Sequence, residues 1–517
     1  MRFSHAPERF FSRAAAIRLG LTGRARLVSG AENATNGNAM TSSYSGPDLC
    51  RQTAFETVAE LKSGKVTPNE LLDACFERMG QVDDAVNAIP TKCLERARDR
   101  LAGFAPHGSN SGAAGWLAGL PVAIKDLTAV SGVRSTWGTP ALADFVPDFS
   151  DYCVERIEDM GGVVVGKSNT PEMGAGANTF NEVLGTTRNP WNVACNAGGS
   201  SGGSAVALAT GQVWLAHGSD LAGSLRTPAA YCGVVGLRPT PGRITHGPSD
   251  VPFATEGVQG PMARTVLDTA LFLDAMSGFD PRDPISIEAP ADSFQSAVLR
   301  ADQKVRVAWS EDLNGLAPVE ANVIDPLKAA LTALEKSGGT VEEACPDLPD
   351  LVDTYVTLRA MAWASGPGRL PAAVQEHFKQ TLAWNIDLGR KLTPDQIYDA
   401  LRGRGVLFRK MLDFLGNYDV LACPIVGISP TPVEMEYPTE VNGQPVGDYV
   451  EWLRFSFLST TTALPSISVP AGFDGNGMPV GLQLIGPPRG EARLLAVAAA
   501  VERAVGFAGQ APIDPKG

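Results

Sequence analysis

The chain has 517 residues, of which 44% are hydrophobic and 19% are charged, and its formal net charge is −13 at pH 7. This composition is that of a folded globular protein with a sizeable core, and it excludes a disordered chain. The acidic balance opposes a broad attraction to nucleic acid or to an anionic membrane surface, which favours a small-molecule partner.

The first 39 residues differ from the rest, because they hold six arginines and only two acidic residues. We expect residues 1–45 to be an Arg-rich, disordered leader, with Met40 as an alternative start of translation. An organellar transit peptide is the other interpretation, since such peptides are rich in arginine and poor in acids. A secretory signal is disfavoured because Arg18 and Gly20 interrupt the apolar stretch AAAIRLGLTG.

Cysteine and histidine spacing gives no metal signature. The eight cysteines include no Cys-x-x-Cys pair, and no His-Glu-x-x-His occurs among the five histidines. The longest apolar run, Leu494 to Val501, is too short to cross a bilayer. We therefore expect a cytoplasmic protein with reduced thiols, no membrane span, no metal and no cofactor.

Helical and strand patterns alternate from about residue 52. Residues 52–103 have helical spacing, and Thr67 to Glu70 form a capping box with proline at the first helical position. The apolar runs 120–126 and 161–167 have the length of buried strands bounded by glycine or proline. This alternation predicts an α/β fold.

The second half of the chain has longer helical patterns. Residues 300–440 are interpreted as a helical elaboration that shapes the substrate entrance and ends near the strand DVLACP. Residues 464–486 predict two strands around an Asp-Gly-Asn-Gly turn, and EARLLAVAAAVERAV predicts a last helix. No repeat or linker divides the chain, so we predict a single domain over residues 46–510.

Residues 161–168, GGVVVGKS, match the spelling of a nucleotide-binding P-loop. Such a loop wraps its backbone N–H groups around a phosphate, which needs conformations that three consecutive valines do not readily adopt. Pro171 also falls where the following helix should begin. We therefore predict a strand and a turn here, and Lys167 is not expected to bind phosphate.

The segment 196–243 is the most unusual part of the sequence, because two serines stand between two glycine pairs in GGSSGGS. The strand pattern QVWLAHG and the tight loop SDLAGS follow. Such a loop aims backbone N–H groups at one point, which is the arrangement that an oxyanion needs. These N–H groups belong to Leu221, Ala222, Gly223 and Ser224.

Two routes could activate a serine in this segment. Residues 198–202 match the nucleophile elbow of a Ser-His-Asp esterase, although only His217, His246 and His377 follow Ser200 in the order which that fold requires. The other route is a neutral lysine, because burial disfavours the ammonium form and lets the amine take a proton from a hydroxyl group.

Lys125 is the candidate for the second route, since it ends the otherwise apolar strand LPVAI. Taken alone, a lysine at a strand end more often reaches solvent, and a glycine-serine segment is more often a flexible loop. The motifs around Lys125 and the glycine-serine segment make a catalytic role for both more specific.

Five motifs occur in one order: GLPVAIKD, GTTRNPWN, GGSSGGS, GSDLAGSLRTPA and CGVVGLRPTPGR. With PSISVPAGF and PVGLQLIG near the end, they closely resemble the amidase signature family of serine hydrolases over about residues 52–505. The resemblance implies an α/β fold with a large mixed central β-sheet covered by helices on both faces. It also implies an amidase, which hydrolyses linear or cyclic amide C–N bonds without metal or nucleotide.

The resemblance implies a Ser-Ser-Lys triad. Lys125 is then the base, Ser200 the bridging serine, and Ser224 the nucleophile that forms an acyl-enzyme. The N–H groups of residues 221 to 224 form the oxyanion hole. Asp220 and Arg226 match loop-shaping positions. The segment expected to contact substrate comprises Met173, Gly174, Ala175 and Gly176.

Two positions depart from the family pattern. Ala222 stands where the family usually has glycine, so either its backbone adopts a common conformation or the oxyanion hole is reshaped. His217 replaces an aliphatic residue, and we expect a core histidine there and not a catalytic one.

The expected substrate is a small amide, apolar or aromatic in character, because MAWASGPGRLPAAV and YVEWLRFSF lie in the helical region and the segment after it. Esters and carbamates present a similar carbonyl, so the chain is also a urethanase candidate. The glutamine-hydrolysing subunit of an amidotransferase belongs to the same family and is the alternative. The resemblance is also compatible with a homodimer.

Overall fold

The computed structural model describes residues 43–104, residue 108 and residues 110–517. Residues 1–42, which make up nearly all of the expected leader, lie outside the described residues. None of the described helices is both long enough and apolar enough to cross a membrane.

The described residues form seventeen β-strands, most of them short. The strands are β1 Thr91–Lys92, β2 Pro121–Lys125, β3 Val163–Ser168, β4 Phe180–Asn181, β5 Gly185–Thr186, β6 Arg188–Asn189, β7 Asn192–Asn196, β8 Leu215–Asp220, β9 Val235–Arg238, β10 Val258–Ala263, β11 Arg306–Trp309, β12 Thr340–Glu343, β13 Val420–Pro424, β14 Glu440–Val441, β15 Gln444–Pro445, β16 Ser466–Phe473 and β17 Pro479–Ile485.

Sixteen α-helices accompany them within the described residues. The helices are α1 Asp48–Arg51, α2 Ala54–Ser63, α3 Pro68–Val86, α4 Leu94–Ala102, α5 Tyr152–Asp159, α6 Gly202–Ala209, α7 Arg226–Cys232, α8 Val266–Met276, α9 Phe294–Leu299, α10 Ala321–Lys336, α11 Leu351–Ser365, α12 Ala372–Gln375, α13 Gln380–Arg390, α14 Pro394–Leu415, α15 Phe457–Thr461 and α16 Glu491–Val505. Short 3₁₀ helices lie at Pro140–Leu142, Glu172–Gly174, Pro367–Arg369 and Glu451–Ser456.

An eleven-stranded sheet organises the fold, with strand order β1-β3-β2-β8-β10-β9-β16-β17-β13-β11-β12. It is mixed: β3, β2 and β8 are parallel to one another, whereas β8, β10, β9, β16 and β17 pair antiparallel. Helices cover both of its faces, which confirms the predicted α/β fold. The other strand pairs are two-stranded sheets outside this sheet.

Local sequence signals explain several boundaries. The capping box that begins α3 is present, with the Thr67 hydroxyl accepting from the Glu70 N–H and the Glu70 carboxylate accepting from the Thr67 N–H. The predicted strand pair over 464–486 is the antiparallel pair β16 and β17, and the predicted last helix is α16. In β3 every residue is buried, as three consecutive valines in a central strand require.

Two regions differ from the sequence expectation. β8 begins at Leu215, three residues after the start of the pattern QVWLAHG, and ends at Asp220, two residues after its end, because β10 pairs with residues 215–220. Residues 300–440 contain α10 to α14, and the predicted strand DVLACP is β13, but the region also supplies the unpredicted strands β11 and β12 at one edge of the central sheet. This region is therefore not purely helical.

Candidate active site

Three parallel strands bring the candidate residues together. β2 lies between β3 and β8 in the sheet, so the carboxyl ends of all three strands meet at one edge. Lys125 is the last residue of β2, and Asp220 is the last residue of β8. Ser200 lies just before α6, and Ser224 lies just before α7.

The Lys125 amine is fully buried and contacts three hydroxyl groups. Its Nζ lies 2.7 Å from Ser200 Oγ, 2.9 Å from Ser201 Oγ and 3.0 Å from Ser219 Oγ. Burial lowers the pKa of Lys125 to about 7, and the nearby Asp220 carboxylate opposes this shift. The amine is thus available in its neutral form near pH 7.

The two serine segments are joined by their backbones. The Ser201 N–H donates to the Ser224 carbonyl oxygen at 3.1 Å. The Ser224 side chain is largely buried, and its hydroxyl makes no hydrogen bond to another described residue. The structure therefore brings Lys125 and Ser200 into direct contact, while Ser224 is held close to them without a hydrogen bond between the Ser200 and Ser224 hydroxyls.

The Asp220 carboxylate folds the loop that follows β8. It accepts hydrogen bonds from the Gly223 N–H at 3.0 Å, from the Leu225 N–H at 3.1 Å and from Arg226 Nε at 3.0 Å. Arg226 Nη2 contacts it at 2.9 Å, and Arg238 lies beside it. Burial alone would raise the pKa of Asp220, but the two guanidinium groups hold it well below its usual value.

The predicted oxyanion donors divide into two kinds. The Gly223 N–H donates to Asp220, whereas those of Leu221, Ala222 and Ser224 donate to no acceptor in the part of the chain that the structure describes. Gly223 has a φ of +88°, and Ala222 does not adopt a positive φ. Of the two alternatives for Ala222, the structure supports the common backbone conformation, so the alanine adds no strain.

The segment expected to contact substrate lies against Ser200 and an apolar cluster. A side chain added at Gly174 would approach Ser200 Oγ to 3.5 Å, so this glycine passes close to the serine hydroxyl. Met173 and Ala175 pack with side chains from the helical region, namely Trp363, Phe378, Leu382 and Ile386. Gly176 continues the segment, with a φ of +141°.

Two sequence features that suggested other chemistry have structural explanations. Residues 163–168 form a continuous strand, which confirms the strand interpretation of the P-loop spelling, and Lys167 Nζ lies 3.1 Å from Asp126 Oδ1 and 2.7 Å from Ser135 Oγ. His217 is buried, and its Nε2 lies 2.9 Å from Gln259 Oε1. Burial lowers the pKa of His217 to about 3, so it is a neutral core histidine.

Two residues at the site were not identified from the sequence. Ser201 and Ser219 both contact the Lys125 amine, yet Ser201 is one of several serines in its segment and Ser219 is an ordinary strand residue. Ser219 reaches Lys125 because β8 lies next to β2 in the sheet. Within the described residues, no three His, Cys, Asp or Glu side chains are grouped so that they could hold a metal ion.

Comparison with known proteins adds the family context. A family model described as Amidase matches residues 70–495. An acylamidase of Rhodococcus erythropolis is 35% identical over 477 residues, which cover 89% of this chain and 97% of the relative. A glutamyl-tRNA(Gln) amidotransferase subunit of Halothermothrix orenii is 32% identical over 486 residues, which cover 87% of this chain and 97% of that relative.

Two solved structures have the same fold. A bacterial aryl acylamidase of the amidase signature enzymes aligns with a TM-score of 0.80 at 29% identity, covering 88% of this chain and 96% of that chain. A 6-aminohexanoate cyclic dimer hydrolase complexed with substrate aligns with a TM-score of 0.80 at 29% identity, covering 90% of this chain and 99% of that chain.

Proposed function

Because the chain belongs to the amidase signature family of amide-hydrolysing enzymes, we propose that it is a serine amidohydrolase that cleaves a carboxamide C–N bond through an acyl-enzyme on Ser224. Lys125 is the base in this proposal, and Ser200 is the bridge between them. The observation that carries it is the fully buried Lys125 amine, whose Nζ lies 2.7 Å from Ser200 Oγ and whose described partners are all hydroxyl groups.

Hydrogen-bond counting supports Ser200 as the proton donor to the amine. A neutral amine has two N–H donors and one lone pair, so its three contacts require one hydroxyl to donate to it. Ser201 directs its own proton to the Ser219 carbonyl oxygen at 3.2 Å, so it accepts from Lys125. The donor is then Ser200 or Ser219, and we assign it to Ser200, whose Oγ lies at 2.7 Å from Nζ against 3.0 Å for Ser219 Oγ. Ser200 can in turn receive a proton from Ser224.

The proposed reaction has two halves. Ser224 Oγ attacks the amide carbonyl while its proton passes to Ser200, and the Ser200 proton passes to Lys125. The free N–H groups of Leu221, Ala222 and Ser224 stabilise the oxyanion. The C–N bond then breaks, the relay returns a proton to the departing amine, and water hydrolyses the acyl-enzyme with the same base.

The apolar cluster around Met173 and Ala175 supports an apolar or aromatic acyl group. Its aromatic members, Trp363 and Phe378, come from the helical region that borders the site. Ester and carbamate carbonyls would meet the same donors, so urethanase activity is part of the proposal. A homodimer stays a prediction, for which light scattering of the purified protein is the direct test.

Fluorophosphonate labelling tests the nucleophile. Intact mass spectrometry should show one adduct on the wild-type protein and none on Ser224→Ala. Ser204→Ala is the matched control, because Ser204 lies in the same glycine-serine segment but contacts Ser168 Oγ and the His217 carbonyl oxygen. Labelling of Ser224→Ala at Ser200 would contradict the proposal and favour the elbow hypothesis.

The glutamine-hydrolysing subunit of an amidotransferase is the second candidate, favoured by the similarity to the Halothermothrix orenii protein. The two candidates differ in substrate and in autonomy. An autonomous amidase should hydrolyse acyl anilides as a single purified chain and should release little ammonia from glutamine. A rate of glutamine hydrolysis well above the rate of anilide hydrolysis would instead favour the amidotransferase subunit.

A further inference from the structure

The carbonyl group of Leu221 begins the loop that carries Ser224, and it has one partner within the described residues. It accepts a hydrogen bond from the Tyr355 hydroxyl at 3.3 Å. Tyr355 lies on α11 and is 2% exposed. Its ring is stacked on that of Phe457, the first residue of α15, with the ring centroids 3.7 Å apart. Packing between two helices therefore holds this hydroxyl against the Leu221 carbonyl.

The direction of this hydrogen bond follows from its neighbours. Arg359 Nη1 lies 3.4 Å from the Tyr355 hydroxyl oxygen, and a guanidinium can only donate. The Leu221 carbonyl oxygen can only accept, so the single proton of the Tyr355 hydroxyl is directed to it. Burial raises the pKa of Tyr355, although Arg359 opposes this shift, so the hydroxyl keeps its proton near neutral pH.

Arg359 is itself buried and held by two further side chains. Its Nε donates to Asn385 Oδ1 at 3.2 Å, and its Nη2 donates to the Tyr449 hydroxyl at 2.7 Å. A charged donor at the Tyr355 oxygen polarises the phenol, and hydrogen bonds in such a chain strengthen one another. The Leu221 carbonyl therefore receives a donor that is both oriented and polarised.

Holding this carbonyl also orients the next N–H group along the chain. The Leu221–Ala222 peptide bond is trans, and in a planar trans peptide the C=O and N–H bonds point in opposite directions. Because the carbonyl points at Tyr355, the Ala222 N–H points away from Tyr355. This N–H makes no hydrogen bond within the described residues, and it is one of the three donors assigned to the oxyanion above.

The following peptide group is anchored separately, because the Gly223 N–H donates to the Asp220 carboxylate at 3.0 Å. Without the Tyr355 hydroxyl, neither polar group of the Leu221–Ala222 peptide would have a hydrogen-bond partner within the described residues. Its plane could then rotate between its neighbours. Such a rotation would turn the Ala222 N–H and deprive the oxyanion of an aligned donor.

We propose that Tyr355, directed by Arg359, is a positioning residue that fixes the Leu221–Ala222 peptide so that the Ala222 N–H faces the oxyanion. The inference rests on the proposed amidase function and adds a link between the helical region and the oxyanion hole. Tyr355 acts through the backbone and not on the substrate. Because the oxyanion forms only during the reaction, the hydroxyl should affect kcat and not KM.

Tyr355→Phe tests this role, because it keeps the ring and removes only the hydroxyl. We expect kcat for an anilide to fall about 3- to 10-fold, the equivalent of one hydrogen bond, with KM within about twofold of the wild type. Tyr231→Phe is the matched control. Tyr231 is also 2% exposed, and its hydroxyl donates to the Ile428 carbonyl oxygen at 2.9 Å, outside the 221–224 loop. This control should leave kcat and KM as in the wild type.

A pair of ketone inhibitors separates the orientation of the N–H from a general loosening of the site. With a phenethyl trifluoromethyl ketone, Ser224 Oγ adds to the carbonyl carbon, the serine proton passes to the Ser200–Lys125 relay, and the carbonyl oxygen becomes an oxyanion. The matching methyl ketone is far less electrophilic and binds without this addition. Tyr355→Phe should raise the Ki of the trifluoromethyl ketone by the same factor as kcat falls, and the Ki of the methyl ketone should not change.

Unchanged kcat and Ki values in Tyr355→Phe would overturn the proposal. An equal rise in both Ki values would also overturn it, because that result indicates a purely structural role. If Tyr355→Phe does not fold, Arg359→Gln decides: it keeps the hydroxyl but removes the donor that directs it, so the preference for the trifluoromethyl ketone should fall several-fold. Failure of the amidase proposal is seen separately in the wild type, as the absence of both anilide hydrolysis and that preference.

Discussion

Two buried lysines lie one strand apart in the central sheet, and their surroundings differ. Lys125 ends β2, and Lys167 is the penultimate residue of β3, which runs parallel to β2. Both amines are fully buried. Lys125 contacts three serine hydroxyls, whereas Lys167 contacts the Asp126 carboxylate at 3.1 Å and the Ser135 hydroxyl.

The difference shows how a partner sets the chemistry of a buried amine. Burial lowers the pKa of both lysines. For Lys167 the adjacent Asp126 carboxylate is the main opposing influence and favours the ammonium form. Lys125 has only the more distant Asp220 to oppose the shift, and its pKa falls to about 7. Lys125 is thus suited to proton transfer, and Lys167 to holding β3 against the segment after β2.

Replacing Lys125 gives the largest expected effect on activity. We expect Lys125→Met to lower kcat/KM for an anilide by about 10²- to 10⁴-fold, the usual contribution of a positioned general base. The measurement is anilide hydrolysis at pH 8, with circular dichroism to verify folding. Activity within a few-fold of the wild type would contradict the role of Lys125 as base.

Replacing Lys167 should affect stability instead. Lys167→Met leaves the Asp126 carboxylate buried without its cation, which we expect to lower the free energy of unfolding by about 3–5 kcal/mol. Urea denaturation provides the measurement. The double variant Lys167→Met/Asp126→Asn should recover part of the loss, because it removes the unpaired charge. If Lys167→Met folds as stably as the wild type, the ion pair does not have the structural role assigned to it.

This contrast also shows what the sequence could predict. The local pattern indicated Lys125, which ends the apolar strand LPVAI, whereas Ser200 and Ser224 were predicted through the resemblance of the ordered motifs to the amidase signature family. Neither the pattern nor the resemblance predicted Ser219 as a partner of Lys125, because that contact requires β8 to lie beside β2. Sheet order depends on packing between segments far apart in the chain.

The loop formed by residues 221–224 and the second half of the fold show the same limit of prediction from sequence. The sequence predicted four N–H donors from residues 221 to 224, but the use of the Gly223 N–H by Asp220 depends on a side-chain orientation. Likewise, β11 and β12 are short strands among helices, and they join the central sheet only because β11 pairs with β13 and β12 pairs with β11.

The pH dependence of activity sharpens the comparison of the two lysines. The amine acts as a base only when it is neutral, and the pKa of Lys125 is about 7. We therefore expect kcat/KM to be constant above this pH and to fall about tenfold per pH unit below it. The profile of kcat/KM between pH 5 and pH 9 is the measurement. A profile that stays flat down to pH 5 would contradict a lysine base with this pKa.

The smallest expected effect concerns the hydroxyl groups that surround the Lys125 amine. Ser219 Oγ lies 3.0 Å from Lys125 Nζ, and a hydroxyl oxygen that accepts from an amine stabilises its charged form. Ser219→Ala should therefore move the acid limb of the pH profile to lower pH, with only a modest fall in the rate on the plateau. Ser219→Thr retains the hydroxyl and should keep the limb in place. A shift to higher pH in Ser219→Ala would mean that the serine acts mainly as a donor to the amine, and the assignment of Ser200 as the sole donor to Lys125 would then be wrong.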